Sequence, residues 1–257
     1  MISLPKAAKL IEKSENRGVF EIEGLYPGYG VTIGNALRRI LLSSLEGAAV
    51  TQVKIKGANH EFSTLPGVME DVISILLNIK QLRFRMYEAE PQTATVQVKG
   101  EKTVTGADFE VPSQAELINK DLEIAHLTSK SAALEMEIKI ERGIGYVPAN
   151  AHHREKQAIG MLALDAWYSP IKKVSSKVEN MRVGDRTDFQ KVTVVIETDG
   201  TITPEDAFGQ AVTMLVNQFQ ALKGTTEVNE KEKQEDQGKP TEKKKTRKAK
   251  SAKTSKE

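Results

Sequence analysis

The chain has 257 residues, with 37 Lys or Arg, 35 Asp or Glu, and no cysteine. That length can bury a real core in one large or two modest domains, and the missing cysteine excludes disulfides, thiolate metal sites and cysteine nucleophiles. The formal charge of +2 hides a division: residues 239–257 carry nine Lys or Arg against two Glu, which leaves 28 basic and 33 acidic residues, net −5, in residues 1–238. A body of that charge argues for protein partners over direct nucleic-acid binding.

Residues 1–18 have weak periodicity and read as an edge strand or loose arm. Val19 to Leu25 alternates Phe20 and Ile22 with Glu21 and Glu23, a half-buried strand that feeds the turn at Pro27. Thr32 is placed to cap a helix in which Ile33, Leu37, Ile40, Leu41 and Ser44 follow at helical spacing, with Gly47 as a stop. Leu42 and Leu45 widen its apolar arc beyond what one neighbour needs, so the helix predicts both a sheet beneath it and a partner beyond. Arg38 and Arg39 sit in that apolar setting. They read either as a solvated pair or as a planar cationic anchor for an interface.

Val50 to Lys56 alternates as a strand, and His60 to Ser63 continues it as a hairpin before the Pro66-Gly67 turn. Val68, Val72, Ile75, Leu76 and Ile79 form a second amphipathic helix. From Arg83 to Ile140 short alternating runs recur, most strictly Leu134, Met136, Ile138 and Ile140. A long loop from Gly143 to Gln157 follows, with the features of a contact surface. Lys191 to Glu197 is a strand, Asp199-Gly200 a turn, and Thr203 with Pro204 opens a last helix. Along it Phe208, Val212, Leu215, Phe219 and Leu222 make a short heptad seam. The two helices together predict a helical dimer interface through Ile33, Leu37, Leu41, Phe208, Val212, Leu215 and Phe219. From Thr225 onward Val228 is the sole large apolar residue, which predicts disorder, and Lys243 to Lys250 could offer weak, salt-sensitive phosphate contacts.

The motifs for small-molecule chemistry are weak. Gly28, Gly30 and Gly34 precede a helix, yet their spacing is not the dinucleotide fingerprint and no Gly-Lys-Ser/Thr follows. His152 and His153 are adjacent and therefore poor joint ligands, so no metal or other cofactor is expected. Glu70-Asp71 and Glu205-Asp206 fall at helix starts, where the dipole accounts for them. No carboxylate cluster suits the two metal ions of nucleotide polymerisation. Tyr146 and the Trp167-Tyr168 pair read as exposed anchors or as ordinary core.

Gly34-Asn-Ala-Leu-Arg-Arg-Ile-Leu-Leu-Ser-Ser44 closely resembles the signature helix of the bacterial RNA polymerase alpha subunit family. Three further segments resemble the same family in the same order: His60 to Val72, Arg142 to Ala149, and Asp185 to Asp188 leading to Glu197 to Ala207. The resemblance implies an α+β chain with a discontinuous dimerisation domain, residues 1–46 plus 171–223, built of a sheet and two long helices. A β-rich domain, 47–170, is inserted, and a disordered Lys-rich tail, 224–257, follows. It implies a homodimer that is the assembly platform for the beta and beta-prime subunits, without catalytic residues of its own.

By the same resemblance, Arg38, Arg39, Glu61, Ser63 and Thr64 face beta, while Tyr168, Lys172, Arg186 and Asp188 lie towards beta-prime. The family's chains typically continue into a helical C-terminal domain that binds promoter DNA, and this sequence stops before one, so DNA is met through the complex or weakly through the tail. No apolar run reaches membrane-spanning length and the N-terminus has no signal-peptide pattern, which predicts a cytoplasmic protein that meets no membrane, and the resemblance implies one associated with the nucleoid. The competing reading is a stand-alone dimeric nucleic-acid-binding protein acting through its basic tail, which the acidic body disfavours.

Overall fold

A computed structural model describes residues 2–152 and 160–235, with side chains described for 2–151 and 160–223. In chain order the elements begin with β1 (Lys9–Lys13), β2 (Arg17–Leu25), α1 (Tyr29–Ser43), β3 (Glu46–Ile55) and α2 (Val72–Ile79). There follow β4 (Phe84–Met86), β5 (Gln92–Lys99), β6 (Lys102–Thr105), β7 (Ala115–Leu117), β8 (Glu123–Leu127) and β9 (Ala133–Ile144). The last are β10 (Tyr146–Val147), α3 (Ala149–His152), β11 (Met161–Ala163), β12 (Ala166–Trp167), β13 (Ile171–Val183), β14 (Arg186–Thr198) and α4 (Pro204–Glu235). The chain divides after Leu215, and the part from Val216 is a unit of its own.

Within the first unit the buried side chains fall into two main clusters. One is drawn from both ends of that unit. Antiparallel strands in the order β1-β2-β14-β13 form a sheet, and α1 lays Leu37 and Leu41 on it with Phe20, Ile22, Val192, Val194 and Ile196. Ala207 and Ala211 of α4 join the same cluster, and Phe208 stacks on Phe20 with ring centroids 4.5 Å apart. The other cluster comes from Ala48 to Leu164. Its main sheet runs β5-β9-β3-β4-β7, with β11 also on β3. On β9 the alternation of Leu134, Met136, Ile138 and Ile140 puts all four on one face, where each is nearly inaccessible to water. α2 covers that core with Val72, Ile75, Leu76 and Ile79. Burying a side chain of that size stabilises the fold by about 1.5–3 kcal/mol relative to leaving it exposed.

Local chemistry explains where elements start. Asp71 caps α2 by accepting from the Ser74 N–H at 2.9 Å, so the helix begins at Val72, and Val68 is instead bridged to Leu127. Thr203 caps α4 as the sequence indicates, accepting from the Asp206 N–H at 3.2 Å. Thr32 does not cap α1: the helix starts earlier, at Tyr29, and the Thr32 hydroxyl donates back to the Gly28 carbonyl. The first amides are satisfied from far away in sequence, since Gln190 Oε1 accepts from the Gly28 and Gly30 N–H groups at 3.0 and 2.9 Å. Those two amides are therefore already engaged and not free for an anion.

Other expectations change. His60 to Ser63 is a turn, closed by the Ser63 N–H donating to the His60 carbonyl at 3.1 Å and the His60 N–H donating to the Ser63 hydroxyl at 3.4 Å. The last strand is longer than Lys191 to Glu197, starting at Arg186, because β13 supplies a partner along its length. α4 continues to Glu235, beyond residue 224 where disorder was expected: Glu, Lys and Gln favour helix even without burial. Residues 236–257, with the Lys243 to Lys250 run, lie outside the described residues, as does His153.

Candidate assembly surfaces

α1 is two-faced. Gly30, Gly34, Leu37 and Leu41 are buried against β13 and β14, and Ile33 is half-buried. Leu37 and Leu41 therefore belong to the chain's own core and are corrected from dimer contacts to supports beneath the helix. The outward face carries Val31, Asn35, Arg38 and Leu42 at spacings of four, three and four; Val31 is 53% and Leu42 39% exposed. Arg38 and Arg39 are both exposed, and among the described residues neither guanidinium has a hydrogen bond or ion pair within the chain. Arginine without an internal partner is available to an external one.

α4 repeats the theme. Up to Leu215, Phe208 and Leu215 are half-buried and Val212 lies at 36%. In the unit beginning at Val216, Phe219 and Leu222 are 64% and 68% exposed. The heptad positions are thus largely uncovered by the chain itself.

Glu61, Ser63 and Thr64 lie in the loop between β3 and α2. Glu61 and Thr64 are exposed, and Ser63 is held by its hydroxyl 3.3 Å from His60 Nδ1 and by its carbonyl accepting from the Val72 N–H. The same loop exposes Phe62 and Met69 widely, two apolar side chains that sequence periodicity missed because they sit in turns. The loop is pinned at Glu70, whose carboxylate accepts from the His126 N–H at 2.7 Å and lies 2.5 Å from His126 Nδ1. Arg39 and this loop belong to different cores, so a surface using both spans the two.

The residues assigned towards beta-prime do not form one patch. Tyr168 is buried, its ring against Gly143, and burial followed by the charge of Glu141 pushes its phenol up to about 12. Only its neighbour Trp167 is exposed, paired edge-on with Tyr146 at 6.5 Å, so the anchor reading fits Trp167 and Tyr146 and the core reading fits Tyr168. Lys172 is exposed near the start of β13, whereas Arg186 and Asp188 are exposed at the far end of the hairpin. At strand rise this is roughly 35 Å away. Arg186 forks onto Asp188 with bonds of 3.0 and 2.6 Å and lies over the Tyr26 and Phe189 rings. Arg186 holds the Asp188 carboxyl below the usual range.

Among the described residues no three His, Asp or Glu side chains come together as a metal site. No helix among them is long and apolar enough to cross a membrane.

Residues 53–169 match the family described as the RNA polymerase Rpb3/RpoA insert domain. The chain is 45% identical over 221 residues to the DNA-directed RNA polymerase subunit alpha of Roseiflexus sp. (strain RS-1), covering 86% of this chain and 68% of that one. The subunit of the same name from Oceanobacillus iheyensis is 44% identical over 243 residues, 92% of this chain and 77% of the relative. That from Carboxydothermus hydrogenoformans is 46% identical over 209 residues, 81% and 66% of the two chains. The chain thus spans about two thirds to three quarters of the length of these relatives.

Proposed function

This chain belongs to the DNA-directed RNA polymerase alpha-subunit family, and on that premise we propose that two copies pair and form the platform on which the beta and beta-prime subunits assemble. The carrying observation is the outward face of α1, where apolar Val31 and Leu42 flank two arginines without internal partners. An apolar stripe of that kind favours a second copy, and the arginines favour carboxylates or carbonyls of beta. Val212, Leu215 and Phe219 of α4 extend the dimer contact. The two buried clusters support a dimerisation domain of residues 1–46 plus 171–223 with residues 47–170 inserted.

On this reading the role is structural. RNA synthesis belongs to the assembled nucleotidyltransferase and its active site to other subunits. The chain works in the cytoplasm at the nucleoid and meets DNA through the complex.

The test is Arg39→Glu. Light scattering of the purified variant is expected to give the dimer mass, with beta capture weakened by about tenfold or more. Normal beta capture by the variant removes Arg39 from the interface, and a wild-type chain that is monomeric and ignores beta overturns the reading.

A further inference from the structure

The segment Glu197 to Ala207 is the one family-like motif for which no surface role has been found, and its turn reaches across to the other core. Arg85 of β4 donates from Nε to the Thr201 carbonyl at 2.8 Å and from Nη2 to the Gly200 carbonyl at 3.2 Å. Its Nη1 lies 3.5 Å from Glu116. Two residues earlier, Arg83 Nε is 3.6 Å from Asp199 Oδ2. The Asp199 side chain is only 6% exposed, and its other oxygen accepts from the Thr201 amide and hydroxyl at 3.0 and 2.6 Å. Gly200 has φ +97°, a conformation that exposes both neighbouring carbonyls to the guanidinium and that side-chain-bearing residues rarely adopt.

The chain passes between the two cores at Leu45–Ala48 and again at Tyr168–Ile171, and these crossings lie against each other. Gly47 pairs in register with Gly143. A β-carbon on Gly47 would overlap the Tyr168 carbonyl oxygen, and one on Gly143 would come within 2.7–2.8 Å of the Tyr168 ring. Two adjacent crossings define a line about which one core can turn on the other. Beside that line the cores are not packed together: a cavity of about 790 Å³ is bounded by Glu46, Gly47 and Pro170 at the crossings and by Arg85 and Thr201 at the turn. Along the cavity packing does not set the angle, and apolar contact between the cores is found at the turn, where a β-carbon on Gly200 would lie 3.2 Å from Ile118 Cγ2. Among the described residues, the side-chain bonds that join the cores away from the crossings are those of Arg83 and Arg85; Arg142 to Glu46 and Ser169 to the Leu42 carbonyl sit at the crossings themselves.

We infer that Arg83 and Arg85 clasping the Asp199–Thr201 turn form a latch that fixes the angle between the two cores, and thereby the spacing of the partner-binding surfaces they carry. The consequence for assembly rests on the proposed function above; the latch itself does not. These are positioning residues, acting on partners through the geometry of the two cores. Lysine can reproduce the charge of Arg85 but not its planar grip on two carbonyls.

The absence of cysteine allows spin labels to be placed at Lys99→Cys and Lys177→Cys, exposed positions on β5 and β13. Labelled chain is diluted into unlabelled chain so that each dimer reports one intramolecular distance, and capture of purified beta is measured in parallel. Arg85→Gln and Asp199→Asn are expected to keep the wild-type circular dichroism and dimer mass, to broaden the distance distribution at least about twofold, and to weaken beta capture about tenfold. Arg85→Lys should fall between. An unchanged distribution in both variants overturns the latch, and a broadened one with unchanged capture overturns its link to assembly. Failure of the wild-type chain to capture beta counts against the proposed function, and the distance measurement then decides the latch alone.

Discussion

At the scale of single residues, long-range polar contacts matter most. Burial pushes the Glu70 carboxyl up, but the backbone and ring bonds from His126 outweigh it and hold the group below its usual value. The bond to Glu70 raises His126 in turn, with Glu123 a weaker contributor from 3.8 Å, while desolvation opposes both. A raised histidine contributes fully below its ordinary value of 6.5 and loses that contribution as pH rises through its folded value. The lowered Glu70 contributes above its ordinary 4.5 and loses it as pH falls through its folded value.

The loop that carries Glu61 to Thr64 should therefore be held most firmly between those values. Amide protection of Met69, whose N–H donates to the His126 carbonyl, should fall as pH rises above 6.5 and through the raised folded value of His126, after correction for intrinsic exchange. His126→Gln should remove that dependence, and a flat wild-type profile would sink the argument. This pair is invisible to local pattern, because 56 residues separate its members and Glu70 reads as a helix-dipole residue. Gln190 escaped notice as the cap of α1 for the same reason.

Elements were more legible, because periodicity records which side of a helix or strand is covered. The four alternating residues of β9 and the apolar positions of α2 are buried as their spacing implies. α1 was legible as a helix too apolar for one neighbour, yet the spacing could not say which leucines face inward. The burial of Leu41 at 0% and the exposure of Leu42 at 39% separate adjacent residues of the same type. Leu41→Ala should lower folding stability by about 2–5 kcal/mol through lost transfer energy and a cavity. Leu42→Ala should leave the urea midpoint nearly unchanged at high protein concentration and raise the dimer dissociation constant on dilution. Equal effects of the two substitutions would mean that α1 is turned otherwise on its sheet. Where polar residues dominate, as in α4 beyond Lys223, composition suggested disorder although the same residues carry good helix propensity.

For the whole molecule, strand patterns indicated a β-rich middle, and the resemblance of four separated motifs supplied the discontinuous arrangement. What joins the cores was hidden, since Arg85 and Thr201 are 116 residues apart and neither stands out in its own segment. The same discontinuity imposes an order in time. β2 has β1 beside it early, but its second ladder partner is β14, with Phe20 opposite Val194 and Gly18 opposite Ile196. A chain growing at about 5–20 residues per second needs roughly 8–30 s to pass from the end of α1 to the end of β14.

Throughout that interval Leu37 and Leu41 lack the completed β13–β14 part of the sheet they lie on, and the core spanning Ala48 to Leu164 becomes complete in sequence before that part does. Ribosome-bound chains arrested once residue 170 has emerged should protect β9 from protease and leave α1 open to cutting; protection of α1 at that length would contradict this order. The helix proposed to meet a second copy thus gains its support last, so on that proposal a prematurely ended chain has no completed surface with which to trap a full-length one.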